Sequence, residues 1–214
     1  VQDIETSYLL NELKDNDVKS FVNDSMVQIK YMSKTLSDFR NFLKPSTKKV
    51  LFSISKALNE INEIIGKQVF YSNINMSFNY KNENEELLIY GYENEFKQVL
   101  LNIINNAKNK IIEKNLPINK KGSIDINIKR CEESNMIEII DDAGAIDEKI
   151  INSIFEPYFT TKEDGMGLGL YMAKIIIEDK MKGTINVRNY KNCVIFTINL
   201  PFKRIKNENF TFRR

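Results

Sequence analysis

Apolar residues recur along this chain with more than one period, and the change of period divides it. Residues 1–12 are weakly amphipathic and start without a capping residue, so they read as the end of a helix. After a polar break at Lys14–Asp17, the positions Val18, Val22, Ser25, Ile29, Met32, Leu36, Phe39 and Leu43 follow in alternating steps of four and three. That is a heptad seam, the pattern of a bundle or coiled-coil helix. It stops at Lys44-Pro45-Ser46, because proline disfavours helix for the residue before it. Roughly 28 residues at 1.5 Å each make a helix about 40 Å long, more than one small core can cover. The seam therefore predicts a helical hairpin pairing with a second copy into a four-helix bundle, a homodimer through residues 18–43. The alternative is a helix packed along its own domain.

Beyond Pro45 the pattern turns to mixed helix and strand. Ser53 is placed to cap a helix through Ala57, Leu58, Ile61, Ile64 and Ile65. Ile74–Tyr80 alternates like a half-buried strand, and Leu87–Tyr90 predicts a second, shorter one. Asn94 to about Lys114 predicts a helix with Phe96, Val99, Leu100, Ile103, Ile104, Ala107 and Ile111 on one face. Ser123–Lys129 and Met136–Ile140 carry isoleucine at alternate positions and read as strands; Asp147–Ile154 predicts a short helix. Thr184–Arg188 and Val194–Leu200 close the pattern as a hairpin. Hairpins exclude a fully parallel sheet. The predicted fold is α+β, a two-layer sandwich of a mixed sheet with helices on one face, preceded by the helical hairpin. The predicted boundaries are 1–46, 47–202 and a tail, 203–214, whose five basic side chains, one acid and lack of periodicity predict disorder.

Composition narrows the chemistry. A net charge of +2 over 214 residues gives no basic footprint for nucleic acid. No apolar run approaches the length of a membrane span, and no signal peptide opens the chain. Cys131 and Cys193 lack metal-ligand spacing and read as reduced thiols, so the expected location is the cytoplasm. There is no histidine, which removes imidazole acid–base chemistry and imidazole metal sites.

Three features carry candidate chemistry. Gly165-x-Gly167-x-Gly169 leads straight into an apolar helical run from Leu170, and glycines at a helix entrance let backbone N–H groups approach a phosphate. A plain flexible loop accounts for the same glycines. Asn102 and Asn106 are four apart and share a helix face, with Asn105 beside them. A carboxamide oxygen is a neutral hard ligand suited to a hydrated Mg²⁺, although a solvated face in an asparagine-rich chain reads the same way. Asp141 ends a strand before the small residues Asp142-Ala143-Gly144-Ala145-Ile146, where a carboxylate could accept from an exocyclic amine beside a flat ring. An ordinary acidic turn is the other reading.

In order, these motifs resemble the nucleotide-binding domain of bacterial sensor histidine kinases, the branch of an ATPase superfamily shared with type II topoisomerases, chaperones and mismatch-repair ATPases. Asn94–Ala107 resembles the asparagine box, Phe155–Lys162 the phenylalanine box and Asp164–Leu170 the second glycine box; Met32–Pro45 resembles the second helix of a dimerisation hairpin. The resemblance implies ATP and Mg²⁺ as cofactors. Asn106, with Asn102 in support, would hold Mg²⁺, and Lys108 or Lys110 would offer charge to phosphates. Asp141 would read the adenine amine, with Gly144 and Ile146 in the turn beside the base. Phe155 to Leu168 would form a lid bringing Thr160, Thr161 and Lys162 to the phosphates, and Gly165, Gly167, Leu168, Gly169 and Leu170 would wrap the triphosphate. Catalysis would rest on positioning and charge neutralisation, with Asn102, Asn106 and Lys162 as its residues.

The chain departs from the family pattern twice. The first glycine box, Asp-x-Gly-x-Gly, has alanine at both glycine positions, Ala143 and Ala145, and alanine is strained wherever φ must be positive. The phosphoacceptor histidine of the first hairpin helix is missing, which reads as a piece of a longer chain beginning just beyond it. The resemblance thus implies the core of a cytoplasmic sensor kinase whose further partner is a response-regulator receiver domain. A non-catalytic pseudokinase scaffold and a chaperone- or mismatch-repair-type ATPase are the rival readings.

Overall fold

A computed structural model describes residues 18–27, 29–30, 46–81, 86–117, 119–162 and 165–201. The chain forms two compact units, Val1–Lys44 and Pro45–Arg214. In the first, residues 18–27 and 29–30 are helical, and Val18, Val22, Met26 and Ile29 are exposed. The remaining seam positions Met32, Leu36, Phe39 and Leu43, the opening stretch 1–12 and the tail 203–214 lie outside the described residues.

The second unit begins with a strand that the sequence pattern does not show, β1 (Val50–Ser53). It runs directly into helix α1 (Ile54–Tyr71), where the Ser53 side chain caps the helix by accepting from the Lys56 N–H at 3.5 Å. The strands β2 (Ile74–Tyr80) and β3 (Leu88–Gly91) follow, then the long helix α2 (Glu93–Glu113). Next come β4 (Gly122–Arg130) and β5 (Ser134–Asp141). The predicted helix at Asp147–Ile154 is instead a series of turns. The Ile150 and Ile151 N–H groups both bond the Asp147 carbonyl, and the Asp147 carboxylate takes the Lys149 N–H at 2.9 Å, so no helical ladder propagates. Helix α3 (Gly169–Lys174) continues as a π-helical segment, Ile175–Lys180, before the hairpin of β6 (Thr184–Tyr190) and β7 (Cys193–Pro201).

Five strands form one sheet in the order β2-β4-β5-β7-β6, and β1 pairs with β3 in a separate two-stranded ribbon. Only β2 and β4 run parallel; the other neighbours are antiparallel, which makes the sheet mixed. Alternation fixes which face is covered. Ile124, Ile126 and Ile128 on β4 and Ile137 and Ile139 on β5 are fully buried, while the positions that alternate with them are only partly covered. Over the buried face lie α1 against β2 and α2 against β4 and β5, with the π-helical segment against β6. The apolar stripe of α2, Phe96 to Ile111, fills the interior, and its partly covered flank carries Asn102 and Asn106. The architecture is the predicted two-layer sandwich with helices on one face.

Candidate functional site

A cavity of about 560 Å³ opens between α2, the end of β5, the long connection 142–168 and the inner face of β7. Its walls are largely apolar, with a few convergent polar groups, the usual make-up of a small-molecule pocket. Asp141 lies at its base, 4% exposed, because the last alternate position of β5 points into the covered layer. One carboxylate oxygen accepts the Ala143 N–H at 3.1 Å, which folds the chain sharply away from the strand. Burial is the main influence on this carboxyl and lifts it from 3.8 to about 6; the Ala143 hydrogen bond opposes that, neighbouring Asp142 adds to it, and Lys114 opposes it. At neutral pH Asp141 is thus mostly an ionised acceptor facing an apolar chamber.

The loop beyond it carries its strain in an unexpected place. The positive φ of 109° belongs to Gly144, between the two alanines, and neither Ala143 nor Ala145 lies in the left-handed region. Neither alanine therefore meets the condition under which it would be strained. Ala143, Gly144, Ala145 and Ile146 all line the cavity.

Across the chamber, α2 contributes Asn106, Ala107 and Lys110. The Asn106 Oδ1 accepts from the Lys162 ammonium at 3.1 Å, so the connection 155–168 reaches over the pocket and touches α2 through these two side chains. Thr160, Thr161, Gly165, Gly167, Leu168, Gly169 and Leu170 line the same side. Thr160 takes the Lys162 N–H on its hydroxyl at 3.1 Å and so bends the segment toward α2. Gly167 has a φ of 67°, and a Cβ there would stand 2.6 Å from the Tyr158 carbonyl oxygen and 2.8 Å from the Phe159 nitrogen. Tyr158 itself is left-handed, at 66°. Two unusual backbone conformations are thus pressed together where the connection folds back on the glycines.

Three expected site residues do not line the cavity. Asn102 donates to the Gly169 carbonyl at 3.2 Å and holds the start of α3 against α2. Lys108 is not part of the chamber lining. Phe155 packs edge-on against Phe196 at 6.3 Å, and it is Phe196 that forms the wall. Conversely, Phe159, Ile150, Ile154, Val194 and Phe196 line the cavity without having been singled out as site residues. The β7 pair reads as ordinary core alternation, and only the topology turns it into a pocket wall.

A divalent cation fits this donor set in one manner only. Among the described residues no group of three or more acidic, cysteine or histidine side chains could hold a metal. Asn106 presents a neutral oxygen that already faces a positive charge, suited to a hydrated ion held chiefly by a ligand's phosphates.

Residues 91–204 match the family model of histidine kinase-, DNA gyrase B- and HSP90-like ATPases. Sporulation kinase A of Bacillus subtilis (strain 168) is 32% identical over 171 residues, 78% of this chain but 27% of that protein. The chain thus spans about a quarter of the length of this curated relative. Among solved structures, the catalytic domain of histidine kinase ThkA in a nucleotide-free form is 29% identical with a TM-score of 0.62, covering 72% of this chain and 96% of that one. A structure of ThkA in complex with the response regulator TrrA covers 94% of this chain and 57% of that one, with a TM-score of 0.61; at 22% identity it shows the fold alone. The chain belongs to the histidine kinase-, DNA gyrase B- and HSP90-like ATPase family and carries the catalytic domain of a histidine kinase.

Proposed function

We propose that this domain binds Mg·ATP in the 560 Å³ cavity and delivers the γ-phosphoryl group to a histidine, from which it passes to a response-regulator aspartate. The observation that carries this is the convergence on one chamber of a buried carboxylate, a glycine-flanked helix entrance and a lysine–asparagine pair. Asp141 accepts the adenine amine, and Ile146, Ile150, Val194 and Phe196 supply the apolar slot for the ring. Gly165, Gly167 and Gly169 line the chamber and let the connection fold closely on itself, which would bring backbone N–H groups toward the triphosphate. Asn106 would help to hold Mg²⁺, which would supply charge neutralisation for the transferred group. The Lys162 ammonium, which donates to the Asn106 Oδ1, would offer its charge to the phosphates. Asn102 acts through Gly169, fixing the helix entrance, and Lys110 adds positive charge at the rim.

The 214 residues contain no histidine, so the acceptor lies outside them. The ThkA–TrrA complex supports a receiver domain as the onward partner. The alanines at 143 and 145 are the best support for the pseudokinase alternative, and neither has a positive φ. Calorimetry with ADP and ATP, with and without Mg²⁺, tests the binding step. Labelling from ATP of a histidine-bearing dimerisation hairpin supplied in trans tests the transfer. Micromolar binding with labelling is expected; no nucleotide binding ends the proposal, and binding without labelling leaves a nucleotide-binding scaffold.

A further inference from the structure

The loop that forms the base-facing wall of the pocket is tethered from a distant strand. Asn189, on β6, accepts the Ile146 N–H on its Oδ1 at 2.9 Å and donates from Nδ2 to the Ile146 carbonyl at 2.7 Å. Both contacts are partly buried, and they span 43 residues of sequence. A carboxamide has the same donor and acceptor edge as a peptide group, so this side chain pairs with Ile146 as a neighbouring strand would. Irregular backbone lining an apolar pocket has no such neighbour otherwise, and its N–H and C=O groups would be costly to leave unpaired.

The position matters as much as the bonds. The loop 142–147 is anchored at its start by the Asp141 carboxylate on the Ala143 N–H, and at its far end by Asn189 on Ile146. Between the anchored residues Ala143 and Ile146 lie only the left-handed Gly144 and Ala145. Opposite Asn189 in the hairpin register is Val194, which lines the cavity. The β6–β7 hairpin therefore supplies part of the pocket wall and also fixes the facing loop, setting the width of the slot between them.

We propose that Asn189 is a positioning residue that sets base recognition: by holding Ile146 it fixes the distance and angle at which Asp141 and the loop backbone meet the edge of a purine. This rests on the nucleotide reading of the pocket. It concerns affinity and choice of base, not phosphoryl transfer, because every contact of this side chain lies at the Asp141 end and none at Lys162. Releasing Ile146 lets the loop relax around Gly144, and the slot then no longer discriminates between a base that offers an amine to Asp141 and one that offers a carbonyl.

The test compares ADP and GDP binding to the whole 214-residue chain by calorimetry, beside thermal melts. Asn189→Ala is expected to keep a cooperative melt, to lose about tenfold in ADP affinity and to lose less for GDP, so that the ratio of the two falls. Asn199→Ala is the control. That carboxamide lies in the same hairpin but bonds Thr184 at the exposed surface, away from the pocket loop, so its removal is expected to leave both affinities and their ratio unchanged. If Asn189→Ala does not fold, Asn189→Asp decides instead. It keeps the acceptor for the Ile146 N–H while losing the donor, and a smaller fall in the same ratio is expected. An unchanged ratio, or equal losses for both nucleotides, overturns the assignment. Absence of ADP binding by the unaltered chain overturns the nucleotide reading itself, a separate outcome.

Discussion

At the scale of single residues, the pocket is built from groups held in costly states. Asp141 is the clearest. Its folded carboxyl titrates at about 6 rather than 3.8, so the folded chain holds this proton more tightly than the unfolded one. The contribution to stability is complete below pH 3.8 and is lost as the pH rises through 6, leaving a buried charge above that. Asp141→Asn keeps an acceptor for the Ala143 N–H and removes the charge. It is expected to raise stability by roughly 2–3 kcal/mol at pH 8 and by almost nothing at pH 4, as read from urea denaturation at both. A gain independent of pH, or none, contradicts the account. The same substitution should weaken ADP binding, the exchange of stability for function common at binding sites. The two left-handed glycines separate conformation from space. Gly144→Ala meets no atom within 4 Å and should cost about 1 kcal/mol, with the pocket intact. Gly167→Ala adds a collision with the backbone of Tyr158 and Phe159, so it should cost more and displace the connection over the pocket. Equal melting shifts for the two variants would remove the distinction.

At the scale of elements, the helix bearing the asparagines is finished by a residue far upstream. Tyr92, at the N-cap of α2, makes no side-chain capping bond. Instead the Ser46 hydroxyl accepts the Asn94 N–H at 3.2 Å, and the Ser46 N–H donates to the Glu95 carboxylate at 3.3 Å. This is the reciprocal pattern of a capping box assembled from two separate segments. Ser46→Ala should lower stability by about 1 kcal/mol, measured by denaturation; no change would show that solvent caps the helix equally well. That contact also marks what sequence reading can and cannot reach. The strands β2, β4 and β5 and helix α2 are legible because period and burial coincide: Ile124, Ile126 and Ile128 alternate since one face of β4 is covered. β1 is hidden because its four residues, which follow two lysines and end in the helix cap itself, show no period. The motif residues Asp141, Asn106 and Lys162 are legible as chemistry, and the structure brings them to one chamber. Asn189 and Ser46 are not, since a lone polar residue carries no local signal and its partner is set by topology. Phe155 and Phe159 are four apart with similar flanks, and nothing local tells which of them faces the cavity.

At the scale of the whole molecule, the question is whether one copy suffices. The helix at 18–27 and 29–30 leaves Val18, Val22 and Ile29 exposed at 39%, 52% and 57%, all three on the heptad seam. Covering each such side chain contributes roughly 1.5–3 kcal/mol, and a continuous stripe of them is a surface that seeks a partner. A second copy would present the same stripe, and an isologous pairing of two copies would close the seam without leaving a further sticky face. We therefore expect residues 18–43 to make the chain a dimer. Ile29→Lys with Leu36→Lys places like charges in the middle of the seam while leaving Asp141, Asn106 and the connection 155–168 untouched. Sedimentation should show a dimer for the unaltered chain and a monomer for the double variant, and calorimetry should show the same ADP affinity for both. Retained affinity matters, because it separates loss of pairing from loss of fold in the second unit. An unaltered chain that sediments as a monomer at tens of micromolar, where an association of roughly −6 to −7 kcal/mol would be seen, shows that this stripe does not pair copies of this chain.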